Sequence, residues 1–288
     1  MKKCAILLIL LLAYLAIIGP FTRYLKTRPI EEKMGYIPKY QVLRAASADF
    51  KPLVAASLVL KSMFYFGSLT DKAFNKLSQP PDYLSMYGAL TTALRLDPYN
   101  MDAYYFSQAF LVWDVQKVKE ANAMLDYGMK YRTWDFYLPF FAGFNAAYFL
   151  KDYAKAAEYY RRAGELSGAE LHVSLAGRYM YESGRTDLAI AYLETMARST
   201  KNEAVHKSFA TRLKAFQEVR RIEIARDAFI RQKGRLPLSV AELVQTSFLK
   251  SMPTDPYGGE FFLDPQVQVR TTSKFSFARM QTNKGEQE

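Results

Sequence analysis

The sequence predicts an all-α protein: a solenoid of helical hairpins behind one N-terminal transmembrane helix, closed by a small C-terminal helix plus β-hairpin. Three observations predict it. A pattern of small and large apolar residues, four and then three positions apart, recurs as Met86-Leu90-Ala93, Ala121-Leu125-Gly128, Ala156-Tyr160-Ala163 and Ala189-Leu193-Met196, its lead residues separated by 35, 35 and 33 positions. A period of that size marks stacked helical hairpins rather than one closed core. The chain also opens on an apolar run, Cys4 to Ile18, directly behind Lys2 and Lys3. Beyond Pro237 the helical period gives way to turn residues and two brief apolar runs, the pattern of a hairpin.

The apolar run continues with few polar residues to Thr22, so residues 4–22 come close to the roughly 20 needed to span a bilayer. A cleaved signal peptide competes with this reading, but no small-x-small site ends the run, and Pro20 would obstruct cleavage after Gly19. Residues 1–22 are therefore expected to be an uncleaved anchor. Arg23, Lys26 and Arg28 behind the span balance Lys2, Lys3 and the terminal amine, so charge alone does not orient it. A very short tail with two lysines stays in the cytoplasm by preference, which would send the soluble domain to the outer side. The lone cysteine, Cys4, lies in the anchor, and the body has neither disulfide nor thiol chemistry.

Residues 23–48, with Pro29, Gly35 and Pro38, read as a tether. From Lys51 a helix is expected, with Pro52 in its first turn and Asp49 as a possible cap. It would form the front of a first hairpin whose back runs from Asp82 to Leu96. The connection from Gly67 to Pro81 is longer than a standard repeat turn and reads as an irregularity at the end of the solenoid, with a specialised loop as the alternative. Within each repeat the small residue lets one helix approach its partner, while the large residue and the second small one fall on the same face. Leu94-Arg95-Leu96-Asp97-Pro98 ends one repeat, because proline lacks the N–H of a continuing helix, and the next helix should open near Asn100 to Asp102. Gly184-Arg185-Thr186-Asp187 is placed as the turn inside the last clear repeat.

The segment from Tyr137 to Gly168, with Ala146-Ala147-Tyr148, Tyr153-Ala154 and Ala156-Ala157-Glu158-Tyr159-Tyr160, resembles the tetratricopeptide repeat family, and the resemblance extends over about residues 82 to 200. It implies a binding scaffold, without saying what is bound, and a solenoid over residues 49–210. The first helix of each pair lines the concave face in that family. The resemblance therefore makes Tyr105, Phe106, Phe141, Asn145, Tyr148, Arg178 and Tyr181 the candidate partner-binding residues, with Tyr104 and Trp113 beside them. Residues of this kind bury much area and keep a polar handle. Each of the aromatic ones could instead pack between helices.

Residues 211–270 change character. Arg212 to Lys233 reads as one long helix with Leu213, Phe216, Ile224, Ala228 and Phe229 on a stripe, ended by Gly234. Ser239-Val240-Ala241-Glu242 is a possible capping box for a short helix through Thr246. Asp255-Pro256-Tyr257-Gly258-Gly259 is turn chemistry. The runs 260–263 and 267–270 flank Asp264-Pro265-Gln266 as a hairpin, and 271–288 read as a polar tail. The order Gly234-Arg235-Leu236-Pro237, then Ser247-Phe248-Leu249-Lys250, then Met252-Pro253-Thr254-Asp255-Pro256-Tyr257 resembles the end of type II secretion pseudopilins. Those subunits carry a glutamate just inside the N-terminal apolar helix, and residues 5–18 contain none, so a processed subunit is not implied. The combination looks similar to membrane-anchored repeat proteins of bacteria, some with pilin-like tails. The likeness implies an envelope assembly with a secretion, pilus or transporter component as partner; with the orientation given by the N-terminal lysines, the expected place is the inner membrane with the soluble domain periplasmic.

The 288 residues are 50% hydrophobic and 15% aromatic, ample for a packed core. A net charge of +11 suits anionic partners, but the Lys and Arg residues are scattered among Asp and Glu, and no nucleic-acid module is recognisable. His172 and His206 lack a nearby cysteine or metal-spaced ligand, and phosphate cradles and the nucleophile elbow are absent. Asp255, Glu260 and Asp264 would fall short of the six to eight oxygens that calcium takes. No catalytic residue, cofactor or metal site is therefore assigned. Two functions stand: a membrane-tethered adaptor, and an envelope protein, a small-molecule binder or an unrecognised enzyme, that uses a pocket between solenoid and hairpin.

Overall fold

The computed structural model describes residues 2–27, 33–71, 76–77 and 80–273 and is mostly helical. Its contacts divide the chain into two compact units, Met1–Phe106 and Ser107–Glu288.

The first unit begins with α1 (Lys2–Thr27), which holds Pro20. Among the described residues no helix is long and apolar enough to cross a membrane. The side chains of residues 2–5, 8 and 25–27 lie outside that description, although Cys4, Ala5 and Leu8 belong to the apolar run of the sequence. A helix stands in the expected tether, α2 (Tyr40–Ser47), and a 3₁₀ turn, Ala48–Phe50, leads into α3 (Lys51–Ser68). Proline stands in the first turn of α3, as expected, but the cap is Phe50 and no side chain bonds to it; Asp49 is taken up in the 3₁₀ turn. The short strands β1 (Thr70–Asp71) and β2 (Lys76–Leu77) pair antiparallel within the irregular connection. Next come α4 (Tyr83–Leu96) and α5 (Met101–Ala109), the latter crossing into the second unit. Asp82 caps α4 by accepting from the Ser85 N–H at 3.2 Å, and Asn100 accepts from the Ala103 N–H at 3.0 Å where α5 opens. These side chains satisfy N–H groups that a helix start leaves without internal partners. α3 packs on α4 and buries Ala55, Leu58, Val59 and Tyr65, whose hydroxyl accepts from the Asp82 N–H at 2.9 Å.

In the second unit a π-helical turn, Phe110–Asp114, is followed by α6 (Val118–Gly128), α7 (Tyr137–Tyr148), α8 (Tyr153–Ser167), α9 (Glu170–Glu182) and α10 (Thr186–Ser199), each packed on its neighbour in the chain. The recurrent residues fall in α4, α6, α8 and α10, and all but the half-buried Met196 are buried. The glycines of the preceding helices meet them. A Cβ added at Gly143 of α7 would lie 3.1 Å from the Tyr160 ring, and one at Gly177 of α9 would lie 3.5 Å from Leu193. The backbone repeats as well. The turns before α6, α8 and α10 each hold one left-handed residue, Gln116 (φ 55°), Lys151 (φ 55°) and Gly184 (φ 76°). Their spacing of 35 and 33 positions matches the period of the apolar pattern. At the first two, a long bond closes the helix end: the Lys117 N–H donates to the Leu111 carbonyl at 2.6 Å and the Asp152 N–H to the Ala146 carbonyl at 2.9 Å.

The long helix α11 runs from Glu203 to Lys233, nine residues earlier than expected, because Asn202 accepts from the Val205 N–H at 3.2 Å and starts it there. Its buried stripe is Phe209, Phe216, Val219, Ile222, Ala225 and Phe229; Ile224, expected on it, is exposed. Gly234 (φ 68°) ends the helix. α12 (Val240–Gln245) is capped by Ser239, which accepts from the Glu242 N–H at 3.2 Å. The return bond of the expected capping box goes instead to the Leu238 N–H, at 2.7 Å. β3 (Phe261–Leu263) pairs antiparallel with β4 (Val269–Thr271), Phe262 opposite Arg270. Thr271, read as the start of the tail, is buried in β4 and donates to Asp255; residues 274–288 lie outside the described residues.

Candidate functional site

The helix α7 presents a stripe of four aromatic residues at i, i+4, i+7 and i+11: Tyr137, Phe141, Phe144 and Tyr148. This spacing sets side chains above one another on one face of a helix. Its other face, with Leu138, Ala142, Asn145 and Ala146, is buried. Tyr137 is 50% and Tyr148 57% exposed, while Phe141 and Phe144 are half-buried. The rings form two stacked pairs, Tyr137 with Phe141 at 6.4 Å and Phe144 with Tyr148 at 5.4 Å and 8° between planes.

Beside the second pair, the π-helical turn delivers Trp113, 58% exposed, 6.3 Å from Phe144 and edge-on to Phe149 at 5.1 Å. A π turn adds one residue to the helix and so rotates the next side chains about its axis. Phe149 closes the group at 4.9 Å from Tyr148, and the Lys151 ammonium sits 5.2 Å from the Tyr148 centroid, within cation–π range. The result is an open aromatic surface bearing one cation over a ring.

The floor beneath the first pair is aromatic as well. Phe136 and Phe140 lie 5.3 and 5.1 Å from the His172 ring, whose Nδ1 is 2.8 Å from the Ser167 hydroxyl. Phe140 meets Tyr160 edge-on at 6.0 Å, and Tyr160 stacks on Tyr179 at 5.5 Å. Burial pushes the His172 imidazole down and the Tyr160 and Tyr179 phenols up, so all three are neutral at pH 7.

The residues expected on a concave face separate into distinct environments. Phe141 and Tyr148 belong to the α7 stripe. Arg178 stands on α9 at the position 34 residues after Phe144, half-buried, with its guanidinium 5.4 Å from the Tyr179 centroid. Asn145 is fully buried and donates to the Asn122 side chain at 2.9 Å, while Asn122 donates to the Ala142 carbonyl at 3.3 Å. Tyr181 is buried beneath the C-terminal hairpin: its hydroxyl donates to the Val269 carbonyl, and the Arg270 guanidinium lies 5.5 Å from its centroid. Tyr105, 61% exposed, and Phe106, half-buried and edge-on to Phe66 at 6.0 Å, belong to the first unit. Tyr104 there is buried, with its hydroxyl donating to the Pro98 carbonyl at 3.0 Å. Sequence reasoning passed over Tyr137, Phe144, Phe149 and Lys151; the first two were legible from the spacing to Phe141 and Tyr148.

Among the described residues no three His, Cys, Asp or Glu side chains are grouped so as to hold a metal ion. No protein-family model matches the chain, and no curated protein is similar to it.

Proposed function

We propose that this protein is a membrane-anchored scaffold of tetratricopeptide type that recruits a protein partner into a bacterial envelope assembly, of the secretion, pilus or transporter kind. The observation that carries this reading is the α7 stripe with Trp113: a row of open aromatic rings on the first helix of a hairpin whose other face is committed to packing. Monomeric proteins rarely leave contiguous aromatic surface in water without a use for it. Tyr and Trp are the side chains that dominate protein recognition, because each buries a large rigid area and retains a hydrogen-bonding tip. The occupant best suited to a flat aromatic row is an apolar helix face or an extended segment with an acidic residue for Lys151.

The 26-residue helix α1 and the apolar run within it support a single-pass anchor in the inner membrane, with the remainder periplasmic. The repeat period, the glycine contacts at Gly143 and Gly177, and the recurring left-handed turns support the tetratricopeptide likeness. The short helix α12 and the capped turn at Asp255, in the segment that begins at Gly234, are compatible with the likeness to the end of pseudopilins. The test is affinity purification of the full chain from its native membrane. Changing Trp113, Phe141 and Tyr148 together to Ala should abolish co-purification of one envelope protein while helical circular dichroism is unchanged. Undiminished recovery of that protein with the triple variant would exclude the stripe as the binding surface.

A further inference from the structure

We infer that α3, in the first unit, lies on the surface of the lipid bilayer beside the anchor, with its exposed apolar face against the membrane; the inference rests on the reading of α1 as a membrane helix. Leu53, Ser57, Leu60 and Phe64 recur at i, i+4, i+7 and i+11 along α3; the three apolar ones are exposed, Phe64 at 74%. Phe50, just ahead of the helix, is 68% exposed. The opposite face is the one that packs on α4, so this stripe is left over after the fold of the unit is complete.

Chain length says what covers it. Met34 is buried, its sulfur accepts from the Ser62 hydroxyl of α3 at 3.9 Å, and the Lys61 ammonium of α3 donates to the Tyr36 carbonyl at 3.4 Å. The segment behind the anchor is thus tied to the second half of α3. From Thr27, the end of α1, to Met34 the chain reaches at most about 25 Å even if fully extended. Phe64 and Leu60 line, together with Met34 and Tyr65, an open groove of about 470 Å³. An apolar face held this close to the end of a membrane helix has a bilayer within reach.

Charge agrees. Residues 23–61 carry an excess of Lys and Arg over Glu31, Glu32 and Asp49, and a cationic segment with large apolar side chains is what anionic headgroups attract. The chemistry of the occupant is therefore an anionic phospholipid leaflet, the one into which α1 emerges.

The test uses the full chain with Cys4→Ser, reconstituted in vesicles of phosphatidylglycerol and phosphatidylethanolamine. A fluorophore is placed at Leu10→Cys in the anchor or at Ser57→Cys in the α3 stripe and quenched by nitroxide-bearing lipid or by aqueous iodide. Lipid quenching at both sites is expected, and adding Leu60→Glu with Phe64→Glu should lower it about tenfold at Ser57→Cys while leaving Leu10→Cys unchanged. Lipid quenching at Leu10→Cys with only iodide quenching at Ser57→Cys would overturn the inference and leave the anchor standing. Iodide quenching at both would overturn anchor and inference together. Lipid quenching at Ser57→Cys that survives the two glutamates would also overturn the assigned face.

Discussion

Two glycines at matching positions of successive hairpins should respond oppositely to the same substitution. Gly143 and Gly177 lie inside helices, where Gly→Ala gains about 1 kcal/mol in helix propensity. At Gly177 the added Cβ would meet Phe216 and Leu193 at 3.4 and 3.5 Å, ordinary van der Waals distances. The gain should survive, and Gly177→Ala should stabilise the second unit by up to about 1 kcal/mol. At Gly143 the Cβ would stand 3.1 Å from two atoms of the Tyr160 ring. That ring cannot recede freely, because it is 2% exposed, stacked on Tyr179 at 5.5 Å and met edge-on by Phe140 at 6.0 Å. Overpacking of this kind costs about 1–3 kcal/mol, so Gly143→Ala should be neutral at best and destabilising by up to about 2 kcal/mol once the propensity gain is subtracted. The position of Tyr160 is leucine in the other repeats, at Leu90, Leu125 and Leu193. Tyr160→Leu should therefore relieve Gly143→Ala, giving a favourable coupling of about 1–2 kcal/mol in a double-mutant cycle. Urea unfolding of the full chain in mild detergent, followed by circular dichroism, reads the whole set of variants. Equal effects at Gly143 and Gly177, or a coupling near zero, would refute the close helix contact on which the repeat packing rests.

Single contacts give further expected outcomes. Gln116→Gly should stabilise by about 1 kcal/mol in the same unfolding measurement, since the left-handed backbone there strains any side chain. Asn145→Ala should destabilise by about 1–3 kcal/mol, because it strips the buried Asn122 side chain of its donor; if Asn145 instead served a partner, binding would fall with stability unchanged. His172 has a pKa lowered by burial, so the unfolded chain binds its proton more readily, and stability should be full above about pH 6.5 and decline as the pH falls below that value. His172→Gln should flatten that part of the pH profile of the urea midpoint. Burial pushes the Asp264 carboxyl up, but the Gln268 N–H, the Arg270 guanidinium and the Gln266 N–H together outweigh it and leave it below the usual range. Docking of the C-terminal hairpin should accordingly be intact above about pH 4 and weaken as the pH drops through the lowered value, which amide exchange at Val269 would track.

The repeats were legible because their signal is periodic: one residue in each of α4, α6, α8 and α10 must be small where a helix comes close, and the same choice recurs at nearly constant spacing. The helix starts near Asp82 and Asn100, the cap at Ser239 and the stop at Gly234 are local chemistry and were readable for that reason, whereas the cap expected at Asp49 is absent from α3. α2 was not, because its eight residues, although amphipathic, are shorter than the window over which a helical period is read. The start of α11 was legible but passed over: Asn202 is a cap residue, and Val205 and Phe209 carry the apolar spacing of Leu213 and Phe216 back to the first turn. At the site, Phe141 and Tyr148 could be placed on an exposed face, but Asn145 and Tyr181 could not be told apart from them. What buries Asn145 is Asn122, 23 residues away, and what buries Tyr181 is a hairpin 88 residues away. No spacing within a single helix encodes either contact.

The central claim is that the α7 stripe holds a protein partner, and site-specific photo-crosslinking in the native membrane tests it most directly. A photoreactive residue at Phe141, at Tyr148 or at the exposed Lys155 of α8 separates the stripe from a neighbouring face. Adducts to one and the same envelope protein from Phe141 and Tyr148, and none to it from Lys155, are the predicted result. Adducts only to lipid, or the same spread of proteins from all three positions, would contradict it.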